Sequence, residues 1–222
     1  MIIASELVNL LIPPLKPSDK LGKVLTWMDE LRVNQLPVVD HEVFQGFVLS
    51  DEVMDMNDAK AAVSEVQLHG VNCSINESQH FFDVMKTASD FEMEMVAVLN
   101  DVNLYQGSIG IGDTMNAFAQ TTSVQNPGAI LVLSLNQIDY SLSEISRLVE
   151  SDDIKILSSH TSVDVMDPSK LKLTLKLNET EVSRVMATLE RFNYRIVSQF
   201  KDTTTVDNNQ ERLDILMKYL DL

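Results

Sequence analysis

The spacing of apolar residues alternates between two periods along the chain. Leu21, Val24, Leu25 and Met28 recur at i, i+3, i+4 and i+7, which places them on one face of a helix. Pro17 and Ser18 precede them as a start signal. Leu36–Asp40 is a short apolar run, His41 and Glu42 form a hairpin tip, and Val43–Leu49 returns as a second strand. A helix beginning near Ser50 or Asp51 carries Val53, Met54 and Met56. With a leading strand at Leu15, the order is βαββα.

The same order recurs after a slide of 60 residues. Leu15 meets Ile75, Ser18 meets Ser78, Leu21 meets Phe81, and Val24-Leu25 meet Val84-Met85. Leu36-Pro37-Val38-Val39-Asp40 meets Val96-Ala97-Val98-Leu99-Asn100. One extra residue in the second copy then aligns Phe44-Gln45-Gly46 with Tyr105-Gln106-Gly107. The second copy is expected to hold a helix over 79–89, a strand over 95–99, a hairpin over 100–103 and a return strand over 104–109. An internal repeat of this kind implies two copies of one supersecondary unit.

After Gln125-Asn126-Pro127-Gly128, a turn signal, the pattern changes. Ala129–Leu135 reads as a strand. Ser141-Leu142-Ser143-Glu144 reads as a capping box opening a helix with Leu142, Ile145, Leu148 and Val149 on one face. Strands are expected over 154–165 and 171–177. In the second of these, Leu171, Leu173, Leu175 and Leu177 alternate with Lys172, Thr174 and Lys176, the mark of a sheet with one wet face. Asn178 and Glu181 give a second cap signal, followed by a helix with Val182, Val185, Met186 and Leu189. Asn193 reads as its stop, and 194–200 as a final strand. The order βαββαβ is ferredoxin-like. Residues 201–209 read as a polar linker, and Leu213, Leu216, Met217 and Leu220 mark an amphipathic C-terminal helix.

Charge narrows the function. Lys and Arg number 17 against 33 Asp and Glu, a net of −16. Such a surface repels phosphate backbones and anionic lipid, so neither nucleic acid nor membrane is expected as a partner. Residues 66–125 carry one base, Lys86, against seven acids. The single cysteine, Cys73, forms no internal disulfide and no thiolate cluster; it is expected to be a small buried residue. The first residues lack the basic stretch that opens a signal peptide, and no apolar run approaches the ~18–20 residues of a membrane span. A cytoplasmic location is the expectation. The four histidines are scattered without metal-ligand spacing, and no nucleophile–base arrangement is visible. Neither a catalytic nor a metal site is expected.

A tandem βαββα unit carrying Leu36-Pro37-Val38-Val39-Asp40 and Gly46-Phe47-Val48-Leu49, with partners in copy two, resembles the CBS (cystathionine-β-synthase) domain. The ferredoxin-like order that follows resembles an ACT domain. Over roughly residues 1–200 the chain resembles the acetoin-utilisation-type CBS–ACT proteins. The resemblance implies an α+β fold: a CBS pair at 1–65 and 66–125, an ACT-like domain at 126–200, then the linker and helix at 201–222. It further implies a homodimer, a regulated protein partner, and an adenine nucleotide as regulatory ligand rather than a cofactor.

The family's nucleotide motif is Gly, two apolar residues, Ser or Thr, two variable residues, then an acid that accepts from both ribose hydroxyls. Copy one places it on Gly46-Phe47-Val48-Leu49-Ser50-Asp51-Glu52, with Leu49 in the hydroxyl position and Glu52 as the acid. A one-residue shift makes Ser50 the hydroxyl but puts Val53 in the acid position, so neither alignment restores both. Copy two places it on Gly107-Ser108-Ile109-Gly110-Ile111-Gly112-Asp113, with Gly110 in the hydroxyl position and Asp113 as the acid. Lys16 and Lys20 are the candidate phosphate cations. Glu52 and Asp113 could equally serve only to favour helix N-termini. The ACT resemblance points to the loop Asp139-Tyr140-Ser141 for an amino acid, although the usual glycine is absent. Two readings follow: a sensor of a small ligand, or a dimeric interaction scaffold without one.

Overall fold

The computed structural model describes residues 2–201. It divides between Phe118 and Ala119 into two compact units. The first contains α1 (Ala4–Leu7), α2 (Leu21–Leu31), β1 (Gln35–Asp40), β2 (Val43–Leu49), α3 (Ser50–Met56), β3 (Ser74–Asn76), α4 (Phe81–Phe91), β4 (Met95–Leu99), β5 (Tyr105–Gly110) and the start of α5 (Ile111–Thr121).

The two repeats match down to their irregularities. β1 pairs antiparallel with β2, and β4 with β5; the register slips at Val38/Val39 in one hairpin and at Val98/Leu99 in the other. α2 ends on left-handed Arg32 and α4 on left-handed Glu92. The leading strand differs. In copy two it is β3, parallel to β4. In copy one it shrinks to a single parallel bridge, Leu15 to Val38. The first hairpin turns on His41 and Glu42, both at positive φ, the pair of left-handed residues that a tight two-residue turn requires.

The helix starts depart from expectation. α2 begins at Leu21, its cap residue Lys20 makes no side-chain capping bond, and Ser18 does not cap it. Asp19 instead accepts from the Lys16 backbone N–H at 2.8 Å, closing a turn before the helix. α4 begins two residues later than its apolar pattern suggests, at Phe81, because the His80 ring accepts from Phe82 N and caps it there. One apolar cluster, with Leu15, Leu21, Leu36, Phe47, Val96 and Ile109 fully buried, serves both repeats. Neither repeat therefore owns a complete core.

The second unit contains β6 (Ala129–Asn136), α6 (Leu142–Glu150), β7 (Ile156–Val163), β8 (Lys170–Leu177), α7 (Ser183–Arg191) and β9 (Arg195–Lys201). The sheet order is β7-β8-β6-β9, antiparallel throughout. Leu131 and Leu133 of β6 and Leu173, Leu175 and Leu177 of β8 are fully buried with Ile145, Val149, Val185 and Leu189 of the two helices. The alternation in β8 thus faces its leucines toward the helices, as its period of two predicts.

Half of the predicted capping box forms. Ser141 Oγ accepts from Glu144 N at 3.4 Å, but the Glu144 carboxylate accepts from the Tyr194 hydroxyl at 2.8 Å rather than returning to the helix start. Asn178 likewise caps no helix: its side chain accepts from Lys155 N at 2.7 Å. Glu181 instead accepts from the backbone N–H and hydroxyl of Ser183. Asn193 takes the left-handed conformation expected of a stop. The amphipathic segment with Leu213, Leu216, Met217 and Leu220 lies outside the described residues.

Candidate ligand site

Glu52 and Asp113 occupy the first turns of α3 and α5. Each helix follows directly on a hairpin return strand, so each carboxylate stands where the repeat's last strand becomes helix. What reaches each of them comes from the other repeat. His69, on the segment leading into copy two, donates from Nε2 to Glu52 Oε1 at 2.9 Å. Asn9, on the segment leading into copy one, points its Nδ2 at Asp113 Oδ2 at 3.4 Å. Asn9 and His69 are 60 residues apart, the spacing of the repeat.

The backbone repeats the same crossing. His69 exchanges two hydrogen bonds with Phe47, at 2.7 and 2.8 Å, and Asn9 N donates to Ser108 O at 2.9 Å. Gly46 and Gly107 make room for these segments. A Cβ on Gly46 would stand 3.0 Å from His69 O, and one on Gly107 would overlap Val8 at 2.3 Å. The two positions are therefore related by a pseudo-two-fold, with contributions from both repeats at each.

The hydroxyl positions of the motif diverge. Leu49 is a half-buried side chain, whereas Gly110 leaves the approach to Asp113 open; a Cβ there would be in ordinary contact with Asp113 Oδ2, at 3.4 Å. Ser50 turns to its neighbour, Oγ to Asp51 Oδ1 at 3.4 Å, and lines a shallow depression with Arg32 and Met54. Between the repeats, Gln35 is buried, its Oε1 accepting from Glu94 N at 3.3 Å while its Nε2 has no partner among the described residues. A buried amide left in that state costs about 1–3 kcal/mol.

Lys16 lies elsewhere. It lines a cleft of about 610 Å³ at the first hairpin tip, with Pro17, Ser18, Asp40, His41 and Tyr105. Glu52, Ser50 and Asp113 do not line that cleft, so Lys16 is not brought together with the carboxylates. The Tyr105 ring stacks on Phe44 with centroids 6.2 Å apart, and its hydroxyl bonds Ser108 Oγ at 2.9 Å. Burial raises its phenol to about 12, outweighing the opposite effect of Ser108. A folded value above the unfolded one means its contribution is complete below pH 10 and disappears as pH climbs to about 12. With Tyr194 raised to a similar value, alkaline titration followed by phenolate absorbance should show two late-ionising tyrosines, one of which Tyr105→Phe removes; unchanged late absorbance in that variant would contradict it.

In the second unit a cleft of about 530 Å³ is lined by Asn136, Asp139, Glu144, Lys170, Tyr194 and Arg195. Asp139 accepts from Asn136 Nδ2 at 2.8 Å. Tyr140 and Ser141 do not line it; Ser141 is spent on the helix cap. Burial first, and then the neighbouring Glu144, raise Tyr194 to about 12. Cys73 is buried and its thiol is pushed up to about 11, which leaves it unreactive. Among the described residues no group of three His, Cys, Asp or Glu could hold a metal ion, and no helix is long and apolar enough to cross a membrane.

No protein-family model matches the sequence. Solved structures do resemble it. A CBS domain pair/ACT domain protein of Thermotoga maritima superposes with a TM-score of 0.50 at 16% identity, over 54% of this chain and 98% of that one. The CBS domains of a transcriptional regulator from Streptococcus pneumoniae follow at 0.48 and 18%, over 52% of this chain and 98% of that one. A CBS protein in complex with AMP gives 0.46 at 17% identity, over 54% and 98%. The Thermotoga likeness, taken with the matched repeats described above, shows a mixed α+β fold of the CBS-pair type over about half of the chain.

Proposed function

We propose that this chain is a non-enzymatic regulatory protein that senses a small ligand, an adenine nucleotide, at the seam between its two CBS-type repeats. One observation carries the reading: each first-turn carboxylate is met by a side chain from the opposite repeat, His69 for Glu52 and Asn9 for Asp113. A ligand that gives its hydroxyls to such a carboxylate competes with a contact between the repeats. Its binding energy is thereby coupled to how the repeats are held, and a ligand shifts a conformational equilibrium only through such differential contacts. The orphan Nε2 of Gln35 is a further donor at the same seam.

Asp113 is the stronger candidate for the ribose, since Gly110 leaves its approach open and its contact with Asn9 is long. Lys16, at a separate cleft, is set aside as a phosphate partner. Assembly as a homodimer and a regulated protein partner belong to the same proposal; Phe82, Phe91 and Met115 on α4 and α5 are exposed apolar residues that such contacts would cover.

Thermal unfolding against AMP, ADP, ATP, S-adenosylmethionine and the amino acids tests the reading. An adenine compound should raise the midpoint saturably, by mass action worth about 2.7 kcal/mol at a hundred times Kd, and Asp113→Ala should cut the rise at the same concentration to about half or less. No shift with any adenine compound at millimolar concentration would sink the reading.

A second reading rests on the cleft of the second unit, which has the βαββαβ order of an ACT-like domain. Its lining sets Asp139 and Glu144 against Lys170 and Arg195, opposite charges that suit the ammonium and carboxylate of an amino acid. A rise with an amino acid alone would favour it.

A further inference from the structure

The two carboxylate positions are related by the repeat, yet they are not equally free. Glu52 is held by a charge-assisted bond of 2.9 Å from His69, within the range of a strong contact. The His69 backbone is fastened to Phe47 by two hydrogen bonds, which holds the segment carrying the imidazole next to the start of α3. Leu49 adds a half-buried apolar side chain where the motif would present a hydroxyl.

Asp113 has neither obstacle. The Asn9 amide stands 3.4 Å away, at the outer limit of a hydrogen bond. The Asn9 Oδ1 is engaged by Leu11 N at 3.0 Å, so the side chain is oriented by its own turn rather than by the carboxylate. Gly110 contributes no side chain at all. Thus the donor, the distance and the neighbouring residue all differ in the same sense between the two positions.

We infer that His69, together with Leu49 at the motif's hydroxyl position, is a built-in occupant of the Glu52 position, so that each chain takes one ligand, at Asp113, rather than two. The imidazole N–H stands in for the ligand hydroxyl that would otherwise meet Glu52. The first position then fastens the repeats together permanently, while the second responds to ligand. This inference rests on the adenine-nucleotide reading of the seam.

Calorimetric titration of the full chain with AMP decides it. The wild type should bind one equivalent per chain, Asp113→Ala should lower affinity roughly tenfold to a hundredfold, as expected for a lost hydrogen bond to a charged group, and Glu52→Ala should leave the stoichiometry at one. The double variant His69→Ala/Leu49→Ser should bind two. Two equivalents in the wild type, one in the double variant, or loss of binding in Glu52→Ala would each overturn the inference while leaving the seam as a nucleotide site. If neither the wild type nor the double variant binds AMP, the nucleotide reading fails and the inference falls with it. Because Glu52→Ala leaves Leu49 and His69 in place, its result stands even if the double variant does not fold.

Discussion

Phe47→Ala should destabilise the first unit by about 3–5 kcal/mol, the usual cost of removing a fully buried phenylalanine ring. Phe47 is completely buried and is among the largest such side chains in the chain. Its ring meets Phe44 edge-on, with centroids 5.0 Å apart. It also belongs to the one apolar cluster that draws on both repeats, so the cavity cannot be closed by collapse of a single repeat. Its backbone, moreover, is the strand that holds His69. With typical net stabilities of about 5–15 kcal/mol, such a loss consumes a large share, and the unfolding midpoint should fall by on the order of 10 °C. Denaturant unfolding monitored by circular dichroism measures it directly. A change below about 1 kcal/mol would mean that Phe47 does not fill the shared core.

Gly128→Ala is the second substitution with a large expected effect, and it reports on the other unit. Gly128 has φ +146 and precedes β6. A Cβ there would lie 1.9 Å from Leu177 O and 3.0 Å from its carbonyl carbon. Both are backbone atoms at the end of β8, where Leu177 is fully buried, so no flexible side chain can yield. The Gly128 carbonyl also accepts from Lys176 Nζ at 3.3 Å, a second tie of the same residue to β8. Overpacking of about 1–3 kcal/mol and backbone strain of similar size together give a loss of about 2–6 kcal/mol. Gly112→Ala is the matched control: nothing stands within 4 Å of its Cβ, and in the first turn of α5 alanine should be neutral or gain about 0.5–1 kcal/mol. Equal unfolding midpoints for the two variants would contradict the account.

The repeat was legible because apolar spacing and length are matched in both copies. Leu21 and Phe81, Leu36 and Val96, and Gly46 and Gly107 fall into register in the sequence and occupy equivalent places in the fold. The acids of the motif could also be located, since the return strand fixes where each helix starts. The partners of those acids were harder to see. Asn9 and His69 lie upstream of the first apolar position that aligns, in segments without helical or strand periodicity. Carrying the 60-residue offset six residues further back would have paired them, but nothing in an asparagine or a histidine alone signals a carboxylate across the repeat.

Helix starts failed for a related reason. Ser18 and Glu144 have the chemistry of caps, but side chains go to whichever donor the tertiary fold brings nearest. Asp19 closed the turn at Lys16, and Tyr194, fifty positions away in the chain, captured Glu144. Lys16 was a candidate by charge alone. Charge gives no direction, and Lys16, on the segment before α2, lines the cleft at the first hairpin tip, which neither Glu52 nor Asp113 lines.

Hydrogen–deuterium exchange of the full chain with and without saturating AMP tests the central claim most directly, because it reports where a ligand acts. The account predicts slower exchange in the segments around Asn9 and from Ser108 to Asp113, whose backbones meet at the Asn9 N to Ser108 O bond, with no change at Asn136–Asp139 or Asn193–Arg195. Absence of protection at the first pair of segments, or protection confined to the second, would contradict it and move sensing to the cleft of the C-terminal unit.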